Sequence, residues 1–150
     1  MRRVERSIAI DAPAARVWQV LVDFARYPEW NPFITSIEGE AVPGARLKVR
    51  LRPPGRRSMT FRPRVLVATP GRELRWLGHL FIPGLFDGEH SFVIEPVGAR
   101  TCRFHHGETF RGALVGLFKK GLGATGEGFD QMNRALKERA EQASDEVGQV

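Results

Sequence analysis

The hydrophobic pattern of this chain changes its period across one short junction, Tyr27-Pro28-Glu29-Trp30-Asn31-Pro32-Phe33-Ile34. Before the junction, apolar residues in the range 17–22 recur at the spacing of one helical face. After it, apolar and polar residues alternate, as they do in strands. Proline disfavours the α region for the residue before it, so the two prolines predict that the chain becomes extended here. The chain must therefore fold with short helical structure before the junction and a sheet after it.

The part before the junction predicts one strand and two short helices. The segment from Val4 to Ile10 alternates loosely and is typical of a strand. Asp11 is placed to cap a following helix, and Pro13 suits its first turn, where no backbone donor is needed. A second short helix is predicted from Phe24 to Glu29. Trp30 follows it directly and is expected to anchor the junction by burial.

The part after the junction predicts six strands, separated by turns rich in proline and glycine at 43–44, 53–55 and 69–71. One of these strands runs from Met59 to Val67 and contains Pro63, which indicates an edge position or a bulge. The last two strands run from Gly88 to Glu95 and from Thr101 to Arg111. Because strands joined by short hairpins are antiparallel, we expect a sheet of seven antiparallel strands in all.

The C-terminal part predicts a long helix over about 125–143, with one apolar stripe made by Phe129, Met132, Leu136 and Ala140. A sheet with one apolar face must cover that face, and only this helix is long enough to do so. Each glycine costs a helix about 1 kcal/mol relative to alanine, so we expect a break or kink near Gly121 to Gly126. Residues 144–150 are expected to form a disordered tail.

Composition limits the class of protein. A chain of 150 residues is most simply one domain, 1–150. No apolar run approaches the ~20 residues of a membrane-spanning helix. No apolar region follows the basic N-terminal residues, so no signal peptide is predicted and the cytoplasm is the expected compartment. Cys102 is the only cysteine, which excludes an internal disulfide and a multi-cysteine zinc site. The glycine-rich segment 121–126 lacks the lysine of a phosphate loop, and no metal or cofactor is predicted.

Three local patterns, together with the order of elements, give the chain a resemblance to a known superfamily. The first pattern is Ile8-Ala9-Ile10-Asp11-Ala12-Pro13, with Val17, Trp18 and Leu21. The second is Asp23 followed by the junction from Tyr27 to Pro32. The third is Glu89-His90-Ser91-Phe92, then Phe104-His105-His106-Gly107-Glu108-Thr109-Phe110-Arg111-Gly112, then Gly128, Phe129, Met132 and Asn133. These patterns resemble the START-like, or helix-grip, superfamily, and within it the SRPBCC proteins of the polyketide cyclase/dehydrase and lipid transport group.

The resemblance covers nearly the whole chain and implies an α+β helix-grip fold. In that fold a curved, seven-stranded antiparallel sheet wraps around a long C-terminal helix, and two short helices lie between strands 1 and 2. The resemblance also implies a cavity between sheet and helix, open near the loops at one end. Members of the superfamily bind very different hydrophobic ligands and only some catalyse reactions, so the fold does not settle the function.

The register of the last two strands indicates which side chains face such a cavity. Ile94 and Phe104 are both apolar and are expected to lie opposite each other, because opposite residues of an antiparallel pair share a face. This register needs the three-residue connection 98–100, a common hairpin length. A slip of one residue would send the whole set to the other face. The other pairs that follow from this register are Phe92 with His106 and His90 with Glu108.

The expected cavity lining is apolar with a few polar side chains. The predicted set is Trp30, Met59, Phe61, Trp76, His90, Phe92, His106, Glu108, Phe110, Phe129, Met132, Asn133 and Leu136. The aromatic and methionine members fit plain core as well as ligand contact. Glu108 is more informative, because a carboxylate on an apolar face is costly unless it is paired.

Glu108 beside His90 and His106 has three interpretations. The first is a buried pair that fixes the register of the strands. The second is a polar anchor that orients an otherwise hydrophobic ligand, since pockets commonly combine an apolar lining with a few polar groups. The third is acid–base catalysis, because the cyclisation or dehydration of a polyketide needs proton transfers. These three side chains are the candidate catalytic residues, although no distinctive reaction signature is present.

Binding or transport of a hydrophobic small molecule (a lipid, polyketide or aromatic compound) is the leading prediction, and a cyclase or dehydratase is the alternative. A third prediction comes from the net charge of +6, whose densest patch is Lys48, Arg50, Arg52, Arg62 and Arg64, with Arg56 and Arg57 at a turn. This face suits membrane head groups or nucleic-acid phosphates. No aromatic residues alternate with these basic residues on this face, which disfavours single-stranded nucleic acid.

The apolar loop from Leu80 to Phe86 suits a lid, a homodimer contact or a membrane-touching tip.

Overall fold

The elements follow the predicted order of a strand, a short helical insert, a run of strands and a long helix. The computed structural model describes residues 1–80 and 82–148, without the side chains of residues 80, 118–121 and 143–148. The strands are β1 (Arg2–Ile10), β2 (Ile34–Glu38), β3 (Lys48–Leu51), β4 (Met59–Phe61), β5 (Arg64–Thr69), β6 (Glu73–Leu80), β7 (Phe86–Pro96) and β8 (Cys102–Arg111). The helices are α1 (Ala14–Val22), α2 (Tyr27–Trp30) and α3 (Lys119–Gly148), with 3₁₀ turns at Phe24–Arg26 and Val115–Phe118. Among the described residues, no helix has both the length and the apolar character needed to cross a membrane.

The strands form two antiparallel sheets, with the orders β1-β8-β7-β6-β5 and β2-β3-β4. The expectation of seven strands is wrong, because the strand predicted from Met59 to Val67 is divided at Pro63 into β4 and β5. Proline has no N–H for the strand ladder, so regular pairing ends there. The Pro63 carbonyl accepts a hydrogen bond from the Leu47 N–H at 2.8 Å, and Arg46 pairs with Arg64. This corner therefore joins the two sheets.

The predicted register of the last two strands is confirmed. Ile94 lies opposite Phe104, and His90 lies opposite Glu108. The Val97 N–H donates to the Thr101 carbonyl at 3.0 Å and closes the connection 98–100. The inner faces of β7 and β8 therefore carry the side chains that the alternation assigns to them.

The core lies between the larger sheet and α3, which packs against β1, α1 and β8. The predicted helical stripe of Phe129, Met132, Leu136 and Ala140 is fully buried. The predicted break is wrong, because α3 runs without interruption through Gly121 to Gly126. Residues 149 and 150 lie outside the described residues, and the disordered tail of 144–150 stays a prediction.

Two glycines of α3 lie where the helix approaches its neighbours closely. A Cβ on Gly128 would overlap the ring of Phe33, and a Cβ on Gly126 would lie 2.6 Å from Nη2 of Arg6. Gly128 therefore allows the helix to pack directly on the segment before β2, and Gly126 leaves room for the Arg6 side chain of β1. Packing against the sheets compensates for their low helix propensity.

The junction between helix and sheet uses its two prolines differently. Tyr27 stays in the α region, with φ −52° and ψ −39°, and Pro28 lies in the first turn of α2. The chain becomes extended only at Asn31, before the second proline. The buried anchor is Tyr27, whose hydroxyl donates to the Leu21 carbonyl, whereas Trp30 is only partly buried against the Tyr27 ring. Burial raises the pKa of Tyr27 far above its ordinary value.

The cap predicted for α1 is wrong. The residue before the helix is Pro13, and no side chain caps the first turn. The backbone N–H of Asp11 instead donates to Oε1 of Glu141 at 2.8 Å. The end of β1 is thus held to α3.

Candidate functional site

A pocket of about 480 Å³ opens between the two sheets and the start of α3. Its wall is mostly apolar, with Glu108 and His90 on one side and two arginines from the β3–β4 connection on another. The lining residues are Phe33, Val49, Leu51, Pro53, Arg56, Arg57, Met59, Phe61, Pro63, Trp76, Gly78, Phe86, Gly88, His90, Glu108, Phe110, Leu122 and Thr125. Met59 is 42% exposed and lies at the mouth.

Part of the predicted cavity set lies in this wall, namely Met59, Phe61, Trp76, His90, Glu108 and Phe110. The other members of the set do not line this pocket, namely Trp30, Phe92, His106, Phe129, Met132, Asn133 and Leu136. The physical reason is that α3 closes directly on the middle of the sheet. There the Phe129 ring stacks on His106 with a centroid distance of 3.8 Å. The space remains open only towards the ends of β6, β7 and β8 nearest the β3–β4 connection.

Trp30 lies at a different and more polar depression. It shares that depression with Arg16, Asp23 and Arg139, on the far side of the helical insert. Since these side chains form a charged surface groove, Trp30 is a structural contact of the junction and not part of the apolar pocket.

Several lining residues were not among the predicted site residues. Arg56 and Arg57 were assigned to a surface patch, although their turn connects β3 and β4, whose inward residues line the pocket. Phe33 belongs to the junction, and nothing in the sequence pattern marks it as a pocket residue. Gly88 has no side chain that a sequence pattern could assign to the pocket, yet a Cβ there would lie 2.6 Å from Oε2 of Glu108. Its position two residues before His90 on the same strand was the signal that could have placed it in the wall.

A chain of polar groups leads from the pocket wall into the core. Oε1 of Glu108 lies 3.5 Å from Nδ1 of His90, and Nε2 of His90 lies 2.7 Å from Nε2 of His106. Nδ1 of His106 lies 3.0 Å from Oδ1 of Asn133. His90 and His106 are almost completely buried, whereas the Glu108 side chain is 15% exposed. Within the described part of the chain, no cluster of three or more histidine, cysteine or acidic side chains could hold a metal ion.

The environment of His106 favours its neutral form. Burial is the main cause that holds the pKa of His106 well below its ordinary value of 6.5, and the nearby His90 acts in the same direction. The hydrogen bond to Asn133 opposes this shift but does not reverse it. His106 therefore serves as an uncharged hydrogen-bonding group in the core.

Between pH 6.5 and about 5, we expect the free energy of unfolding to decrease as the pH falls. The folded pKa of His106 is lowered, so the unfolded chain binds more protons in this interval and is favoured. One such group contributes at most about 1.4 kcal/mol per pH unit. The lowered pKa values of Asp87 and Glu141 act mainly below their ordinary values of 3.8 and 4.5. Urea unfolding at several pH values measures the effect.

The control variant is His105→Gln, which changes the neighbouring histidine on the opposite face of β8. His105 is only partly buried, with Nδ1 2.8 Å from the Ser7 hydroxyl. This variant should keep the decrease in stability seen in the unmodified chain. A constant free energy of unfolding between pH 6.5 and about 5 would contradict a neutral, buried His106.

The basic strand face lies apart from the pocket except at its turn, where Arg56 and Arg57 line the pocket. Lys48, Arg50 and Arg64 are exposed on the outer side of the sheets, and Lys48 lies 3.9 Å from Glu38. The apolar loop is held to the segment after β8 by hydrogen bonds from Ala113 and Leu114 to the carbonyls of Gly84 and Leu85, and residue 81 of that loop lies outside the described residues. Membrane contact, nucleic-acid contact and a homodimer stay predictions.

Comparison with known proteins gives one family and a consistent set of structures. A family model described as polyketide cyclase/dehydrase and lipid transport matches residues 1–141. The Zhui aromatase/cyclase from Streptomyces sp. R1128 is 18% identical, with a TM-score of 0.76 and coverage of 94% of each chain. A START superfamily protein from Mycobacterium smegmatis is 21% identical, with a TM-score of 0.72 and coverage of 94% of this chain and 98% of that one.

A synthase of known structure has the same fold. Norcoclaurine synthase from Thalictrum flavum, in complex with dopamine and hydroxybenzaldehyde, is 13% identical, with a TM-score of 0.70 and coverage of 94% of this chain and 87% of that one. No curated protein matches the chain by sequence. At these identities the solved structures establish the fold alone.

Proposed function

The chain belongs to the polyketide cyclase/dehydrase and lipid transport family, and on that premise we propose that its pocket binds a hydrophobic small molecule. The observation that supports this most is the pocket itself, about 480 Å³ of space with a mostly apolar wall. Ligand pockets are typically clefts of roughly 300–1,000 Å³ with a few placed polar groups. Here the polar groups are Glu108 and His90 on the wall and two arginines at the β3–β4 connection.

The aromatic side chains in its wall make this pocket suitable for a flat or ring-containing ligand. Trp76 lies in the wall, and Phe86 and Phe110 pack together with a centroid distance of 5.6 Å. Such rings offer large apolar contact areas and prefer edge or offset packing with other rings. One structural neighbour is named as an aromatase/cyclase and another is in complex with dopamine and hydroxybenzaldehyde, which is consistent with the proposal.

Filling the pocket tests the proposal. Gly78 lines the pocket from β6, and a Cβ there would meet only Cβ of Pro63, at an ordinary 3.6 Å. Gly78→Leu should therefore occupy the cavity without straining the strand. We expect the unmodified chain to enhance the fluorescence of 1-anilinonaphthalene-8-sulfonate saturably, and Gly78→Leu to weaken that binding by roughly tenfold or more.

The matched control is Gly123→Leu, which adds the same side chain to α3. Gly123 is exposed, does not line the pocket and has no atom within 4 Å of an added Cβ. This variant should bind the dye like the unmodified chain. Equal binding by Gly78→Leu and the unmodified chain would show that the dye binds elsewhere, and the proposal would fail.

A cyclase or dehydratase is the second candidate, and one observation favours it. The wall carries a carboxylate and an imidazole 3.5 Å apart, an arrangement that can exchange a proton with a bound carbonyl or hydroxyl group. An enzyme of this kind would lose turnover, but not apolar ligand capture, in the Glu108→Gln variant described below.

A further inference from the structure

The direction of each hydrogen bond in the buried row of polar groups behind the pocket follows from its inner end, at Asn133. Nδ2 of Asn133 donates to the Arg6 carbonyl at 3.4 Å, and a carbonyl can only accept. Oδ1 of Asn133 therefore faces Nδ1 of His106, 3.0 Å away. Since this amide oxygen also can only accept, Nδ1 of His106 must carry a hydrogen.

The state of His106 determines that of His90. His106 is fully buried in apolar surroundings, and burial lowers its pKa, so the ring is neutral. A neutral ring with hydrogen on Nδ1 has a free lone pair on Nε2. That atom lies 2.7 Å from Nε2 of His90. Nε2 of His90 must therefore donate to it.

At the outer end of this row of polar groups, the position of one proton between His90 and Glu108 has to be assigned. Nδ1 of His90 lies 3.5 Å from Oε1 of Glu108. If His90 were neutral and Glu108 ionised, an imidazole lone pair would lie beside a carboxylate oxygen with no hydrogen between them in a largely buried site, which is unfavourable. Either Glu108 is protonated or His90 carries a second hydrogen. In both cases the pair holds one proton and has no net charge.

We propose that Asn133 is a positioning residue that makes Glu108 and His90 share one proton at the pocket wall, and that this pair selects hydrophobic ligands bearing a hydroxyl or carbonyl oxygen. The inference rests on the proposed function and names the polar feature of its ligand. The shared proton is donated to a carbonyl oxygen, and the carboxylate accepts from a hydroxyl group. Both options arise from one neutral pair, so the pocket needs no counter-charge on the ligand.

Other charged side chains near this row of polar groups either pair with different residues or line a different wall of the pocket. The Arg6 side chain lies 3.4 Å from Asp130, and its backbone carbonyl alone takes part. On the outer face of the sheet, Glu89 pairs with Arg75 at 3.3 Å. From the β3–β4 connection, Arg56 and Arg57 line the pocket. Among the described residues, the neighbours of the imidazole nitrogens of His90 and His106 are thus limited to Glu108, Asn133 and the two histidines themselves.

Two matched probes separate this inference from the proposed function. Naphthalene measures apolar capture alone, and 2-naphthol adds one hydroxyl group to the same ring system. We expect the unmodified chain to bind 2-naphthol roughly tenfold more tightly, as one hydrogen bond to a charged or proton-sharing group allows. Glu108→Gln should reduce this preference several-fold. The control Glu89→Gln makes the same replacement on the outer face and should keep the full preference.

The positioning role of Asn133 has its own measurement. A long-range ¹H–¹⁵N spectrum of the histidine rings in the unmodified chain should show hydrogen on Nδ1 of His106 and on Nε2 of His90. Asn133→Leu removes the acceptor without touching the pocket, so the His106 tautomer should change and the 2-naphthol preference should fall. Asn133→Leu could fail to fold, and the spectrum of the unmodified chain then still tests the assignment.

The outcomes are distinct. Binding of naphthalene without any preference for 2-naphthol overturns the inference and leaves the proposed function in place. Hydrogen on Nε2 of His106 in the unmodified chain also overturns it. Binding of neither probe overturns the proposed function together with the inference. A tenfold preference that is lost in Glu108→Gln, combined with hydrogen on Nδ1 of His106, supports both.

Discussion

Replacing Gly128 with alanine is expected to destabilise the protein by about 2 kcal/mol. A Cβ at this position would lie well inside 3.0 Å of the Phe33 ring, closer than real Cβ contacts come. The ring is fully buried and packs edge-on against Phe129 and His106 at centroid distances of 5.7 and 6.3 Å, so displacing it would break these contacts. Overpacking of this kind typically costs about 1–3 kcal/mol and outweighs the gain of about 1 kcal/mol in helix propensity.

Gly126→Ala is the matched control, two residues earlier on the same helix. Its Cβ would meet Nη2 and Cζ of Arg6, the far end of a flexible and exposed side chain. That side chain can move aside, so the helix propensity of alanine should stabilise this variant by up to about 1 kcal/mol. Urea unfolding of the two variants measures the difference. Equal free energies of unfolding would contradict a close contact between α3 and Phe33.

The register of the last two strands was predictable because the inner face leaves only one acceptable alignment. Ile94 and Phe104 must both be buried, and a slip by one residue would have exposed them. The three-residue connection allowed that alignment, and the structure has it. The polar pair of His90 and Glu108 followed from the same argument. Where burial and loop length agreed, alternation alone was sufficient.

The division into two sheets was not predictable from alternation. Met59, Phe61 and Val65 keep a period of two across Pro63, so the pattern gives no sign that the strand ends. Whether a proline causes a bulge or a break depends on which strand lies beside it. A second departure occurs where the register of β2 shifts between Ile34 and Ser36, which lets both Ile34 and Ile37 reach the core.

The candidate site was predictable where alternation assigns inward residues to β4, β6, β7 and β8, and not where the β3–β4 connection and α3 complete it. The wall positions of Glu108 and His90 followed from register, whereas the depth at which α3 closes on the sheet depends on the close contact between Gly128 and Phe33. Sequence alone counts this glycine as a cost to the helix, although it is a point of close packing. The close approach of α3 buries His106 and Asn133 behind the pocket, where they act on the wall through hydrogen bonds.

Replacing Asn31 with alanine is expected to destabilise the protein by about 2–4 kcal/mol. Oδ1 of Asn31 accepts from the backbone N–H groups of Phe33 at 3.0 Å and Ile34 at 2.8 Å. All three residues are buried, so water cannot readily replace the lost acceptor. Each unpaired buried donor costs about 1–3 kcal/mol. The loss would fall on the junction itself, where the chain turns from α2 into β2 and presents Phe33 to both the pocket and α3.

Asn31→Asp separates the role of this oxygen from that of the amide nitrogen. Aspartate keeps an acceptor at the same place, whereas Nδ2 of Asn31 has no hydrogen-bond partner among the described residues. Acceptance from two backbone N–H groups also favours a carboxylate and offsets part of its burial cost. Thermal or urea unfolding should therefore show a smaller loss for Asn31→Asp than for Asn31→Ala. If the two variants lost equal stability, the side-chain oxygen would not be what holds the junction, and packing of Tyr27 alone would have to account for it.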